Sequence, residues 1–175
     1  MPRPPAARAK VLDAFARVLI EDGERSATIE AVAARAGVTK GGLLYHFASR
    51  EALVDGLLER LEELGREDVA AMRSAPEGPV QYYLRTSDVS SSDEFSDLVM
   101  AAMRLTQDAG TRARAQLRRL EARWLEVLTE EIGDPARARL VLLVGDGLYW
   151  HQMMARGGGA SQLRAILPVV EELLG

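Results

Sequence analysis

The chain has 175 residues, 47% of them hydrophobic and 27% charged, with a net charge of −4. That length and apolar content suit one compact globule, or a small module attached to a larger one, and argue against large-scale disorder. There is no cysteine, which removes disulfide frameworks, thiol catalysis and thiolate zinc sites, and the two histidines, His46 and His151, are too few for a multi-histidine metal site.

The first stretch, MPRPPAARAKVLDAF, is basic but lacks the uninterrupted apolar run of a signal peptide. No later segment reaches the roughly 18 to 20 apolar residues that span a bilayer. A soluble, cytoplasmic protein with no membrane partner is therefore expected. Charge is uneven along the chain: residues 1–54 carry eight Lys and Arg against six Asp and Glu, while residues 55–175 carry fourteen against twenty. A polyanion would dock at the basic end, where Arg3, Arg8 and Lys10 suit either an arm along a nucleic-acid backbone or a plain disordered tail.

Three short helices are expected in the first fifty residues. In KVLDAFARVLIEDG, Val11, Phe15, Val18 and Leu19 share one helical face and Gly23 supplies the stop. In TIEAVAARAG, Thr28 caps, Ile29, Val32 and Ala33 face inward, and Gly37 stands where a left-handed residue ends the helix. Thr39 then caps the segment KGGLLYHF, with Phe47 in the core. Only about three residues separate the second and third helices, the spacing of a helix-turn-helix whose second helix enters the major groove. A fourth helix begins near Glu51 and carries Leu53, Leu57, Leu58, Leu61 and Leu64 on or beside one stripe, ending before the loop around Ser74 to Pro79.

The remainder reads as helical too, over about 79–87, 93–107, 111–132, 135–156 and 161–174, with boundaries in DVSSSDEF, at GDP and at RGGG. The fold class expected is all-α. It comprises a helix-turn-helix DNA-binding domain over residues 1–54 and a second helical domain over residues 55–175.

The paired glycines Gly41 and Gly42 open the third helix at a cost of up to about 1 kcal/mol each in helix propensity. Side-chain-free positions there let a sugar-phosphate backbone approach, and N–H groups at a helix start can meet a phosphate; a tightly turned helix start without a ligand is the other reading. Lys40 places a positive charge at the positive end of the helix dipole, an arrangement that a DNA phosphate would relieve.

The ordered set AFARVLIEDG and ATIEAVAARAGVTKGGLLYHFASREALV, covering roughly residues 8–57, resembles the N-terminal domain of the TetR family of transcriptional regulators. In common members a tyrosine directly follows the leucine of the third helix, whereas this chain has Leu43, Leu44, Tyr45. The usual lysine after that helix is Arg50 here. The resemblance implies a homodimer on a palindromic double-stranded DNA operator, most often a repressor released by a small hydrophobic or amphipathic effector, with residues 55–175 as the helical ligand-binding and dimerisation domain. It implies DNA contacts from Thr28, Thr39, Lys40, Gly41, Gly42, Tyr45, His46 and Arg50. Beside these stand plainer roles: Lys40 on a solvated surface, His46 bonding a helix-end carbonyl, and Arg50 paired with Glu51 or Asp55.

Beyond the reading helices, ARLVLLVGDGLYWHQMM is apolar almost all round, which calls for burial almost all round. With LRAILPVVEELL it offers a dimerisation set of Leu140, Val144, Leu148, Leu163, Ile166, Leu167, Val170 and Leu174, the alternative being a monomeric core. Pro168 should kink this last helix or open a fresh turn. An effector pocket lined by Leu98, Met100, Met103, Trp124, Leu128, Tyr149, Trp150 and Met153 is compatible with the sequence; the same side chains suit a solid core. No cofactor, metal or catalytic residue is expected: there is no Gly-x-Ser-x-Gly elbow, phosphate-binding glycine loop or histidine pair at metal spacing. The competing function is a helical ligand-binding or protein-interaction module without operator binding.

Overall fold

A computed structural model describes residues 4–88, 93–105, 110–154 and 161–175, with side chains from residue 7 onward except that of Met153. Arg3, the serines after Asp88 and the glycines at 157–159 fall outside the described residues. Nine α-helices are described: α1 (Pro4–Asp22), α2 (Ile29–Ala36), α3 (Lys40–His46), α4 (Arg50–Arg73), α5 (Pro79–Ser87), α6 (Glu94–Arg104), α7 (Gly110–Ile132), α8 (Pro135–Met154) and α9 (Leu163–Leu174). A 3₁₀ turn, Glu24–Ser26, lies between α1 and α2, and no strand occurs among the described residues. None of these helices is long and apolar enough to cross a membrane.

Two compact units emerge: Met1–Leu64 with Asp93–Arg118, and Gly65–Ser92 with Arg119–Gly175. Residue 54, the boundary expected from sequence, lies inside α4. In the first unit α1 packs against both α2 and α6. Its interior is formed by Phe15, Leu19, Val32, Leu43, Leu53 and Leu57, so the apolar faces of α1, α2 and α4 point where their periodicity places them. α6 joins this unit by burying Leu98, Ala101 and Ala102.

Local chemistry sets the helix ends. Thr28 Oγ1 accepts from Ala31 N–H at 3.1 Å and starts α2; Gly37, at φ +64°, ends it in the left-handed region that only glycine enters without strain. Thr39 Oγ1 accepts from Gly42 N–H at 3.0 Å to start α3, and Ser49 Oγ accepts from Ala52 N–H at 3.1 Å to start α4. Gly56 on α4 leaves room for Phe47: a Cβ there would stand 2.7 Å from the ring. Arg8 lies against the same ring, its guanidinium carbon 5.1 Å from the ring centroid and its Nη2 3.4 Å from that Cβ position.

In the second unit α5, α8 and α9 pack on one another around Met72, Leu84, Leu128, Val141 and Leu142. Several polar groups inside it are paired, although Gln152 Oε1 is buried without a hydrogen bond among the described residues. Tyr83 donates to the Asp146 carboxylate at 3.2 Å, and its ring lies 5.6 Å from that of Trp124. Tyr82 and the Trp124 indole both donate to Asp68, at 3.0 and 2.7 Å. Burial, reinforced by the Asp68 charge, pushes the Tyr82 hydroxyl up to about 12. α9 continues past Pro168, which removes one backbone donor but does not end the helix.

Candidate nucleic-acid interface

The helix-turn-helix is built as its sequence dictates. The turn between α2 and α3 is three residues long, and Val38 N–H donates to the Ala33 carbonyl at 3.0 Å to close the end of α2. Arg35 in the last turn of α2 donates to Glu21 at 2.6 Å and to Asp22 at 3.3 Å, tying α2 to the end of α1. Leu43 is the fully buried residue of α3, leaving Lys40, Gly41 and Tyr45 on its exposed side.

Each residue named from sequence has a definite place. Thr28 and Thr39 act as N-caps through their hydroxyls. Gly42 N–H is taken by the Thr39 cap, and a Cβ at position 42 would press on that hydroxyl at 3.2 Å. Gly41, by contrast, faces open space, with nothing within 4 Å of a Cβ placed there. Tyr45 is 84% exposed, and its ring stands edge-on to that of His46 at 5.2 Å. At the end of α3 it is Phe47 N–H that donates to the Leu43 carbonyl.

Both cations are held by acids that sequence reasoning passed over. Lys40 Nζ donates to Glu30 Oε1 at 2.6 Å, with both side chains well exposed. This hydrogen bond holds the Glu30 carboxyl below the usual carboxylate range. Arg50 donates at 3.1 Å to Glu24, whose side chain is only 5% exposed, rather than to Glu51 or Asp55. Asp55 instead takes a hydrogen bond from Arg112. Nothing in the local pattern points to Glu24 or Glu30: their partners lie 26 and 10 residues away, beyond any helical period.

The residues named for an effector are divided between the two units. Leu98, Met100 and Met103 belong to the first unit; Trp124, Leu128, Tyr149 and Trp150 belong to the second. Leu98 and Leu128 are buried in core, Trp124 and Tyr149 are partly buried, and Met103 and Trp150 are exposed. The side chain of Met153 is outside the described residues. The set named for dimerisation mostly faces inward: Leu148 and Val170 are buried, and Val144, Leu163, Ile166, Leu167 and Leu174 pack partly buried against the same core. Leu140 alone of that set is exposed, together with Leu143, Trp150 and Met154 on α8 and Val169 and Leu173 on α9. Among the described residues no group of three His, Asp or Glu is placed to hold a metal ion.

Comparison with known proteins agrees with this architecture. KstR2 of Mycobacterium tuberculosis, an HTH-type transcriptional repressor, is 41% identical over 51 residues, which are 29% of this chain and 26% of that protein. KstR2 of Rhodococcus jostii is 38% identical over 68 residues, 37% of this chain and 33% of that protein. The matched stretch therefore spans a third or less of these curated relatives. The crystal structure of NalD, the secondary repressor of the MexAB-OprM multidrug efflux pump in Pseudomonas aeruginosa, shares the fold with a TM-score of 0.66 at 16% identity, covering 97% of this chain and 94% of that chain. The family model described as bacterial regulatory proteins, tetR family, matches residues 11–57, and that described as Tetracyclin repressor-like, C-terminal domain, matches residues 77–174. With this second match spanning more than half of its length, the chain belongs to the TetR family of bacterial regulatory proteins.

Proposed function

We propose that this chain is a transcriptional repressor that binds a palindromic operator as a homodimer and leaves it when a small hydrophobic or amphipathic effector binds. The observation that carries the reading is Gly41. A glycine in the exposed first turn of α3 has no neighbour to accommodate and no positive φ to adopt, so the fold gives no reason for a missing side chain. Close approach of an external backbone gives one. Thr28, Lys40, Tyr45 and His46 flank it as contact residues, with Thr39 and Gly42 shaping the helix start.

Dimerisation is supported by the exposed apolar residues of α8 and α9, Leu143, Trp150, Val169 and Leu173 among them, on helices otherwise packed into the core. Gly147, in the same stretch of α8, also faces open space. One reading head per chain requires two copies to read a palindrome. Effector binding belongs to residues beyond α4, where Trp124 and Tyr149 combine aromatic surface with partial burial.

Selection of bound fragments from random double-stranded DNA tests the reading. The expected result is an inverted repeat with half-sites about one helical turn apart. The pairing of Lys40 with Glu30 and Arg50 with Glu24 favours the second reading, a ligand-binding or protein-interaction module without an operator. Failure to enrich any sequence would establish that module instead.

A further inference from the structure

We infer that Lys40 and Glu30 act together as the base-reading residues of this chain, recognising a C·G pair. Lys40 would donate to guanine O6 or N7, and Glu30 would accept from the cytosine N4 amino group. The inference rests on the DNA-binding reading above. Lys40 is the first residue of α3, and in a helix-turn-helix the N-terminal residues of the second helix reach base edges. Glu30 stands in the first turn of α2, and its carboxylate reaches the Lys40 ammonium at 2.6 Å, so the two present a donor and an acceptor side by side.

The fold gains little from this pair. Lys40 and Glu30 side chains are 60% and 65% exposed, the setting in which an ion pair is screened and weak. Against phosphate, Glu30 is unfavourable, since it repels the backbone and occupies the cation that would contact it. Against a base edge the same carboxylate is useful. The major groove presents the cytosine amino group beside the guanine oxygen, matching an acceptor beside a donor, and carboxylates pair with cytosine N4 while lysine pairs with guanine. The other well-exposed side chain of α3, Tyr45, has a hydroxyl that carries less discrimination between base pairs.

The test is fragment selection with the full chain, comparing the parent with Glu30→Ala and Lys40→Ala. Both positions are exposed, and unchanged melting temperatures would verify that the variants fold. In the parent, one position of each half-site should be C·G, favoured roughly 5- to 150-fold over other pairs. Both variants should lose that preference while keeping it elsewhere in the site. If Glu30→Ala binds more tightly to all sequences and keeps every preference, Glu30 only neutralises the start of α3 and the inference is overturned. A selected site with A·T at the position sensitive to Glu30 also overturns it. A parent that enriches nothing removes the DNA-binding reading, and this inference with it.

Discussion

At the scale of single residues, the two glycines that open α3 have separable roles. Gly42 serves the fold, because its N–H completes the Thr39 cap and a side chain there would crowd the cap hydroxyl. At Gly41 a Cβ would meet nothing within 4 Å among the described residues. Gly41→Ala should therefore leave stability unchanged or raise it by up to about 1 kcal/mol. Operator binding should fall roughly tenfold, the equivalent of one hydrogen bond to a phosphate. Thermal melts and a binding titration on the selected site check the two halves separately; a loss of both would return Gly41 to a structural role. Arg50 shows the opposite coupling. Removing it takes the Arg50 charge away from a carboxylate that is almost fully enclosed, so Arg50→Ala should destabilise the chain by about 1–3 kcal/mol. Glu24→Gln in the same chain should recover part of that loss, as measured by chemical denaturation. Weakened DNA binding in Arg50→Ala alone would then reflect a disturbed turn before α2 as much as a missing phosphate contact.

At the scale of elements, α6 is tied to α4 by charge as well as by burial. Arg60 donates to both carboxylate oxygens of Glu94, at 2.8 and 3.0 Å, and also to Glu63. The Arg60 hydrogen bond holds the Glu94 carboxyl below its usual range. A depressed folded value means that the contribution is complete above the unfolded value of about 4 and is lost as pH falls through the folded one. The parent should therefore lose melting temperature faster than Glu94→Gln as pH drops below about 4; parallel profiles would show the tie to be too solvated to matter. These cross-links were illegible in the sequence because Arg60 and Glu94 are 34 residues apart, whereas the helices themselves were legible. Thr28, Thr39 and Gly37 are end signals acting within four residues, and the leucines of α4 recur at the helical period. The inner side of α8 was not legible for a different reason: with apolar residues on every side, periodicity has no phase. Leu148 thus faces the core and Leu143 faces out, although the sequence offers them as equals.

At the scale of the whole molecule, the outward apolar residues of α8 and α9 make the association state a measurable consequence of the fold. Size measurement at micromolar concentration should give about twice the chain mass of 19.1 kDa. Trp150, 57% exposed, has the character of an interface anchor, and truncating such a residue typically weakens association by about 2 kcal/mol or more. Trp150→Glu should accordingly shift the population toward single chains and reduce operator affinity, while leaving the helical content intact. A parent that stays a single chain while binding its site tightly would remove the homodimer from the proposal.

The grouping of α6 and the beginning of α7 with the reading helices also bears on how the chain can be recombined with others. α1 turns Ala9, Leu12 and Ala16 toward Leu98 of α6. A reading head cut out at residue 54 would leave that side of α1 uncovered and would break the Asp55–Arg112 pair. Chimeras that place this operator specificity on a foreign sensor would need to transplant residues 1–64 together with 93–118, two pieces of chain that must cross over at matched points in α4, between α5 and α6, and in α7. Two of these three seams lie within helices, not in a linker.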